Sequence, residues 1–401
     1  MNLTRILSNS LITSALSITS YSAIAADSGS LQQQIESLKA ENEVIMQRLE
    51  ATVDIIESGN LMSSTSHSSK SASSNKTFGD HGNTGSTTIG GYGELHYNNT
   101  DSTNQIDLHR FILFMGHEFS DKIRFWSELE VEHATADKNG GEVAMEQAFL
   151  EFDLNENNSI RTGIILVPVG LINETHEPPT FYGVERNNVE KYIIPSTWRE
   201  GGVAMTGRFG GAFSYDVAMH SGLQISSGES YAVRSGRQAV REAPAQDPAY
   251  TARLKWMGIR GLELGGAVQY QRDITQGTDL TAGSATLLET HAVWSANAVS
   301  VRALYASWDL SGTGPKSIGA DEQSGWYIEP SYKINPQFGI FARQSSWDNQ
   351  ANSSNDTENT QTDVGFSYWP HEDVVVKFDY QQRDKAGTND DGFNLGVGYQ
   401  F

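Results

Sequence analysis

The amino-acid sequence predicts an all-β fold, a sixteen-stranded antiparallel transmembrane β-barrel preceded by an N-terminal coiled-coil helix. Three observations predict the barrel. Residues 393–401 alternate apolar and polar side chains, which gives a strand with one face for lipid and one for water. About sixteen segments with this alternation lie between residues 88 and 401. The connections between them alternate between long and short, like the loops and turns at the two ends of a membrane barrel.

The composition agrees with a chain that crosses a membrane only with strands. The 401 residues are 38% hydrophobic, and no run reaches the roughly 18 apolar residues of a spanning helix. There is no cysteine, which excludes disulfides and thiolate metal sites. The net charge of -21 argues against binding to nucleic acid, which requires a basic surface.

Residues 1–25 predict a cleaved signal peptide. Arg5 precedes an apolar stretch from Ile6 to Ile18, and the segment ends in Ala23-Ile24-Ala25, the small-residue pattern of a cleavage site. A short buried helix is the alternative interpretation. With a barrel behind it, the signal predicts the outer membrane of a Gram-negative cell.

Residues 26–57 predict a periplasmic coiled-coil helix. Their apolar seam recurs at alternating spacings of four and three, at Leu31, Ile35, Leu38, Asn42, Ile45, Leu49, Thr52 and Ile56. Such a heptad pattern, with a polar residue that fixes the register, favours a homo-oligomer, which we expect to be a trimer. A single helix lying on the periplasmic mouth remains the alternative. Residues 58–87, rich in Ser and Gly, predict a flexible linker, and residues 88–401 form the barrel.

The alternation assigns the strand side chains to two environments. In the third strand Ile123 and Phe125 share one face, and Arg124 shares the other with several glutamates. The charged face must meet water, so it predicts the lumen wall, which includes Arg124, Glu128, Glu130, Glu151, Arg161 and Arg208. Aromatic residues near strand ends predict the two interfacial girdles: Tyr97, Phe119, Phe152, Phe209, Trp256, Tyr270, Trp326, Tyr332, Trp347, Tyr380 and Phe401. Core packing is the alternative for these aromatics.

The longest connection, residues 169–198, predicts a pore constriction. It carries apolar residues such as Ile172, Phe181 and Ile194, which seek burial and favour an inward fold against the wall. That fold would place the loop's charged residues in the pore: Glu174, His176, Glu177, Glu185, Arg186, Glu190 and Lys191. The alternative is an outer lid packed on neighbouring loops.

Residues around the fifth and sixth strands carry a family resemblance. The run Arg161, Gly163, Pro168, Gly170, Leu171, then Glu185-Arg186, then Arg199 and Gly201, resembles the phosphate-selective porin O and P family. The resemblance covers about residues 88–401. It implies a sixteen-stranded trimeric outer-membrane channel whose third extracellular loop folds into the lumen. It also implies that Glu185 and Arg186 lie in that loop, and that Arg161 and Arg199 lie on the flanking strands.

The sequence departs from the family in its charge. Anion-selective members line the constriction with arginines and lysines, whereas this loop sets Glu174, Glu177, Glu185 and Glu190 against Arg186 and Lys191. Because fixed charge in a narrow pore sets selectivity, we predict a porin for passive diffusion of small hydrophilic solutes and ions with weak selectivity. A phosphate-selective or other substrate-specific channel is one alternative. An envelope tether or adhesin that uses the coiled coil and the surface loops is another.

The sequence contains no recognised catalytic motif. There is no G-x-S-x-G, H-E-x-x-H or Walker A pattern, so we predict no enzyme and no cofactor. The His-Glu pairs at 117–118, 176–177 and 371–372 lack a sequence neighbour at metal-ligand spacing and predict no metal site. The expected partners are outer-membrane lipid and lipopolysaccharide, further copies of the chain, and the permeant solutes.

Overall fold

The last strand closes the barrel by pairing with the first. In the computed structural model, which describes residues 86–137 and 140–401, Gly93 lies opposite Tyr399 and Tyr97 lies opposite Leu395. The backbone N–H of Phe401 donates to the carbonyl of Gly91 at 2.9 Å, and the N–H of Gly91 donates back to Phe401 at 3.0 Å. This pairing uses the hydrogen-bonding edge that a C-terminal strand would otherwise expose.

The sheet contains sixteen long antiparallel strands and one two-residue strand. Their bounds are β1 (Thr87–Thr100), β2 (Asn104–Ser120), β3 (Ile123–Asp137), β4 (Gly140–Asn155), β5 (Asn158–Leu166), β6 (Arg199–Phe209), β7 (Phe213–His220), β8 (Ala249–Ile259), β9 (Leu262–Gln271), β10 (Ala285–Ala296), β11 (Val299–Leu310), β12 (Glu322–Asn335), β13 (Phe338–Asp348), β14 (Asn359–His371), β15 (Val374–Lys385), β16 (Thr388–Asn389) and β17 (Gly392–Gln400). The short β16 pairs only with the end of β15. The predicted sixteen-stranded antiparallel barrel is therefore confirmed.

Two short helices interrupt the loops, α1 (Val189–Tyr192) and α2 (Thr313–Ile318). Three 3-10 turns lie at Pro178–Thr180, Ser227–Glu229 and Val233–Gly236. Among the described residues, no helix is long and apolar enough to cross a membrane. The predicted signal peptide, coiled-coil helix and most of the linker lie outside the described residues. The final linker position, Thr87, already belongs to β1.

The loops separate into a long-loop end and a short-turn end, as predicted. At the short-turn end, Gly210 and Gly211 adopt φ of 59° and 72° between β6 and β7, a conformation that glycine reaches without steric cost. At the other end, residues 167–198 join β5 to β6 and residues 221–248 join β7 to β8.

The two faces of the strands meet different environments. Outward apolar side chains such as Val364, Leu395 and Val397 are 42–45% exposed, whereas inward Glu128 and Glu130 are buried. Trp347 corrects one girdle prediction, because it points inward and stacks on Tyr192 with ring centroids 5.9 Å apart. Its inward position follows from the same alternation that turns Arg343 into the lumen.

A hydrophobic cluster inside the barrel, here called the luminal core, packs two loops onto the β9–β13 wall. The loops contribute Val167, Val169, Val189, Ile193, Ile194, Trp198, Leu223, Ile225, Tyr231 and Val233. The wall contributes Ala267, Ala285, Leu287, Leu304, Ala306, Trp308, Leu310, Tyr327 and Trp347. Because these inward side chains are apolar, the loops gain burial by packing on them. The luminal core therefore fills part of the lumen on the β9–β13 side.

Candidate functional site

The segment of residues 167–198, here called the constriction loop, lies inside the barrel. Trp308 on β11 donates its indole N–H to the Ile193 carbonyl at 2.8 Å. On the other side, the loop N–H of Val184 donates to Asp379 on β15 at 2.6 Å. Because the loop begins at β5 and ends at β6, contacts to β11 and β15 require that it crosses the lumen. It is an inward constriction and not an outer lid.

Glu190 fixes the start of the loop to α1 and to the wall. It is fully buried, and its Oε2 accepts hydrogen bonds from the N–H groups of Leu171 at 2.8 Å and Ile172 at 2.7 Å. Its Oε1 accepts one from the Tyr327 hydroxyl at 2.7 Å. Burial raises the pKa of Glu190, and these hydrogen bonds counteract that rise. Glu190 thus holds the loop in place.

The other acidic loop residues contact different parts of the wall. Glu174 pairs with Arg253 on β8, which also pairs with Asp216 at 2.7 Å. Glu185 accepts hydrogen bonds from His96 at 3.0 Å and from the Asn98 amide at 3.1 Å. The side chain of Glu177 is half-buried beside the first 3-10 turn. The pKa of Glu185 falls well below its usual range, because His96 outweighs the effect of burial.

A cavity of about 610 Å³ runs between the constriction loop and the β1–β4 wall. On the wall side, β1, β3 and β4 contribute Glu94, Glu130, Glu132, Glu142 and Glu146, and β2 contributes Arg110. On the other side, the loops and the start of β6 contribute six cations, Arg186, Lys191, Arg199, Arg234, Arg237 and Arg241, together with Glu185 and Glu190. The two rows meet where Arg199 and Arg241 lie 3.5 and 3.8 Å from Glu142. This cavity is the candidate pore.

The connection from β7 to β8, residues 221–248, supplies three of these arginines. Arg234 donates to the carbonyls of Lys191 at 2.8 Å and Ser196 at 2.7 Å. Arg237 donates to the Thr197 carbonyl at 3.0 Å. Burial lowers the pKa of Arg234 to about 10. This loop was not predicted to line the pore, although three arginines in one loop were a usable signal.

The predicted wall residues separate into two groups. Near the short-turn end, Arg124 lies 2.9 Å from Glu151 and 2.6 Å from Asp153, and Arg161 lies 2.7 Å from Glu151. The side chain of Arg208 at the end of β6 is exposed. The second group, Arg199, Glu128 and Glu130, lies nearer the long-loop end, beside the cavity and the constriction loop. The first group therefore lines the lumen away from the constriction.

The acidic and basic rows differ in how far they are neutralised. Arg110, which was not among the predicted lumen residues, lies 2.9 Å from Glu94 and 3.2 Å from Glu130. In contrast, four of the six cations on the loop side of the cavity have no carboxylate oxygen within 4.0 Å among residues 86–137 and 140–401: Arg186, Lys191, Arg234 and Arg237. Arg186 instead donates to the Thr197 hydroxyl at 2.9 Å. The pore surface therefore carries more unpaired positive than unpaired negative charge around the loop.

A β-bulge on β4 brings a third group of side chains to the loop. Glu128 on β3 lies opposite Gln147, but the next residue, Leu129, lies opposite Met145, so Glu146 has no partner. Both Glu146 and Gln147 consequently turn inward, beside His176 of the constriction loop. The pKa of His176 rises to about 9, since the two carboxylates outweigh burial and the positive charge of Arg186, both of which lower it.

The sequence profile of the phosphate-selective porin O and P family matches residues 89–394. The chain belongs to this family. The family and the geometry together make the protein an outer-membrane porin, a passive diffusion channel. Both point to a channel function and away from catalysis.

Individual proteins similar to this porin are distant. An uncharacterized protein of Aquifex aeolicus (strain VF5) is 29% identical over 357 residues, which cover 78% of this chain and 79% of the relative. The anion-selective porin from Comamonas acidovorans is 10% identical over 79% of this chain and 100% of that chain, with a TM-score of 0.56. OmpT of Vibrio cholerae in its trimer form is 10% identical over 79% and 99% of the two chains, with a TM-score of 0.52. These two structures are similar to the porin in fold.

Proposed function

We propose that this porin conducts small hydrophilic solutes and ions through an off-centre pore with charge rows of opposite sign. The observation that carries the proposal is the cavity of about 610 Å³ between the acidic β1–β4 wall and the basic loop surface. Rows of opposite charge create a transverse field that orders water and polar solutes. Apolar solutes cannot replace that ordered water, so the pore favours polar ones.

The off-centre position supports a narrow constriction. The luminal core occupies the β9–β13 side with buried residues such as Leu287, Trp308 and Tyr327. The constriction loop bounds the remaining passage, with Glu185, Arg186 and Lys191 on its pore side. Both signs of charge lie within this passage, which supports weak ion selectivity.

An anion-preferring channel is the second candidate function. The observation in its favour is the group of four cations without a carboxylate neighbour, Arg186, Lys191, Arg234 and Arg237. A cluster of guanidinium groups suits tetrahedral oxyanions such as phosphate, because it can donate paired hydrogen bonds. The acidic β1–β4 wall, partly neutralised by Arg110, opposes that preference.

We further propose that the porin assembles as a homotrimer in contact with outer-membrane lipid and lipopolysaccharide. The predicted heptad seam of residues 26–57 supports self-association in the periplasm after removal of the signal peptide 1–25. The trimeric form of a porin with the same fold is consistent with that assembly. The tether or adhesin role remains a separate hypothesis for the coiled coil.

Single-channel recording in a planar bilayer under a salt gradient tests these functions. We expect stable openings in steps of three and a reversal potential close to zero. A strongly anion-biased potential, together with inhibition of chloride current by millimolar phosphate, would replace the first proposal with the second. The absence of any conductance from folded protein would contradict both.

A further inference from the structure

A buried cluster of ionisable side chains joins the constriction loop to the β3–β4 wall. It consists of Glu128, Glu146 and His176, whose exposed fractions are 2%, 1% and 3%. Four of its polar atoms lack a hydrogen-bond partner: Glu128 Oε1, both carboxylate oxygens of Glu146, and His176 Nε2. Leaving so many buried polar atoms unsatisfied is costly, so each cluster of this kind calls for an explanation.

The distances within the cluster fit a shared cation better than direct hydrogen bonds. His176 Nε2 lies 3.4 Å from Glu146 Oε2 and 3.6 Å from Glu128 Oε1. Hydrogen bonds between such groups are about 2.7–3.2 Å long. A tetrahedral Zn²⁺ with bonds of about 2.1 Å places neighbouring ligand atoms about 3.4 Å apart. One donor atom from each of the three residues lies within 4.8 Å of the other two.

Hydrogen bonds behind the cluster orient two of its members as metal ligands. His176 Nδ1 lies 3.1 Å from the Asn173 carbonyl, which can only accept, so Nδ1 carries the proton and donates. The lone pair of a neutral ring is then on Nε2, which faces the carboxylates. Gln147 donates its amide N–H to Glu128 Oε2 at 2.7 Å and leaves Oε1 for the cluster. Support of this kind is typical of histidine and carboxylate metal ligands.

The β-bulge gives this arrangement a structural cause. Alternation continued from Ala148 and Leu150 would turn Glu146 toward lipid, and alternation continued from the exposed Val143 and Met145 would turn Gln147 toward lipid. The bulge lets Glu146 and Gln147 both face inward. Glu146 is then placed as a ligand, and Gln147 is placed to orient the second carboxylate ligand, Glu128. Bulges often re-aim side chains at functional sites.

A neighbouring cluster contains the same residue types, but the ring nitrogens of its His96 are paired within the protein. His96 contacts Glu94 at 3.1 Å through Nε2 and Glu185 at 3.0 Å through Nδ1. Both ring nitrogens of His96 are therefore satisfied at hydrogen-bond distance, and the residue behaves as a protonated imidazolium between two carboxylates. His96 provides a matched control, because it also joins the constriction loop to the wall.

We propose that Glu128, Glu146 and His176 bind a divalent transition-metal ion, for which Zn²⁺ is the natural occupant, and that this ion ties the constriction loop to the barrel wall. One imidazole and two carboxylates form a ligand set that Zn²⁺ accepts, with a fourth position left for water. The two carboxylates neutralise the charge of the ion. Arg199, 3.8 Å from Glu146 Oε1, limits the affinity of the site for a cation because it is positively charged.

Metal binding to the refolded, detergent-solubilised porin tests the proposal. After treatment with EDTA, we expect one Zn²⁺ per protomer in calorimetric titration and elemental analysis, together with a rise in the temperature of barrel unfolding. Co²⁺ in the unmodified protein should show the intense visible absorption of a four-coordinate site. His176→Gln and Glu146→Gln should each lower the Zn²⁺ affinity by at least about tenfold, the lower limit found even for loss of a supporting residue. His96→Gln should leave the affinity unchanged.

Several outcomes would overturn the proposal. Absence of saturable Zn²⁺ binding and of the Co²⁺ spectrum in the unmodified porin would leave His176 as an imidazolium between two carboxylates. If His96→Gln and His176→Gln lowered the Zn²⁺ affinity equally, the affinity would depend on the order of the loop and not on coordination by His176. Heat-dependent gel mobility identifies any variant that fails to form a barrel. The Co²⁺ spectrum needs no variant, so the proposal can fail even if each substitution prevents folding.

Discussion

The hydroxyl of Tyr327 on β12 donates a 2.7 Å hydrogen bond to Glu190, a fully buried carboxylate of the constriction loop. This contact joins the loop to the wall through a polar group that has no access to water. Tyr327→Phe should destabilise the loop by about 1–3 kcal/mol, because the Glu190 oxygen would be left without its donor. Single-channel recording should show noisier openings and a larger mean conductance. The control is Tyr332→Phe on the outer face, where Tyr332 is 47% exposed; equal noise in both variants would argue against the anchor.

The stability of the porin should depend on the protonation of Glu190. Burial raises its pKa above the ordinary value of 4.5, and Glu289 acts in the same direction. A carboxyl with a raised folded-state pKa stabilises the fold fully below its unfolded pKa and loses that contribution as the pH rises through its folded pKa. The unfolding temperature should therefore fall as the pH is raised from 4 toward neutrality. Glu190→Gln, which mimics the protonated acid, should show a smaller fall, and an unchanged fall would exclude Glu190 as the cause.

Gly170 should tolerate substitution less well than another glycine of similar backbone conformation. Gly170 and Gly211 have φ of 79° and 72°, so alanine carries a left-handed backbone cost of about 1–2 kcal/mol at either position. A Cβ at Gly170 would lie 2.5 Å from Glu190 Oε2, whereas a Cβ at Gly211 meets open space. Gly170→Ala should lower the unfolding temperature more and loosen the loop. Equal shifts in the two variants would show that the contact with Glu190 does not matter.

Lys191 should influence the ion selectivity of the pore. It lines the cavity on the loop side and has no ion-pair partner within 4.0 Å in the described part of the chain. Lys191→Glu changes the local charge by two units, which at about 8 Å in water amounts to about 1 kcal/mol for a monovalent ion. Because a cation gains this energy and an anion loses it, the cation-to-anion permeability ratio should rise by up to about thirtyfold. The reversal potential measures this ratio, and Lys316→Glu on the exposed helix α2 should leave it unchanged.

The barrel could be predicted from the sequence because strand alternation is local and repeats along the chain. Alternation alone cannot place both Glu146 and Gln147 on the inward face, since the bulge that does so is not marked by any residue type. Trp347 was predicted to lie in the outer girdle because it is an aromatic residue near a strand end. It instead points into the barrel and stacks on Tyr192. The contacts of Arg234 with Lys191 and Ser196 join two loops, and local patterns carry no information about them.

The predicted lumen charges Arg124, Glu128, Glu151 and Arg161 do face inward, but the sequence could not tell which of them meet the loop. That depends on how far each strand is shifted along its neighbour, a property of the closed sheet. The seam of residues 26–57 remains a prediction, since it lies outside the described residues. The constriction was predictable in outline, because a loop with Ile172, Phe181 and Ile194 had to be buried somewhere.

Where the luminal core lies, part of the β9–β13 wall is apolar on both faces, toward lipid and toward the loops. Leu287, Leu304 and Trp308 line that inner surface and are almost fully buried. Excising the constriction loop would therefore not produce a wider water-filled pipe. It would expose an apolar strip on the inner wall, and such a surface favours dewetting, as in hydrophobic gates. An enlarged channel would require polar substitutions at these wall positions in addition to a shorter loop.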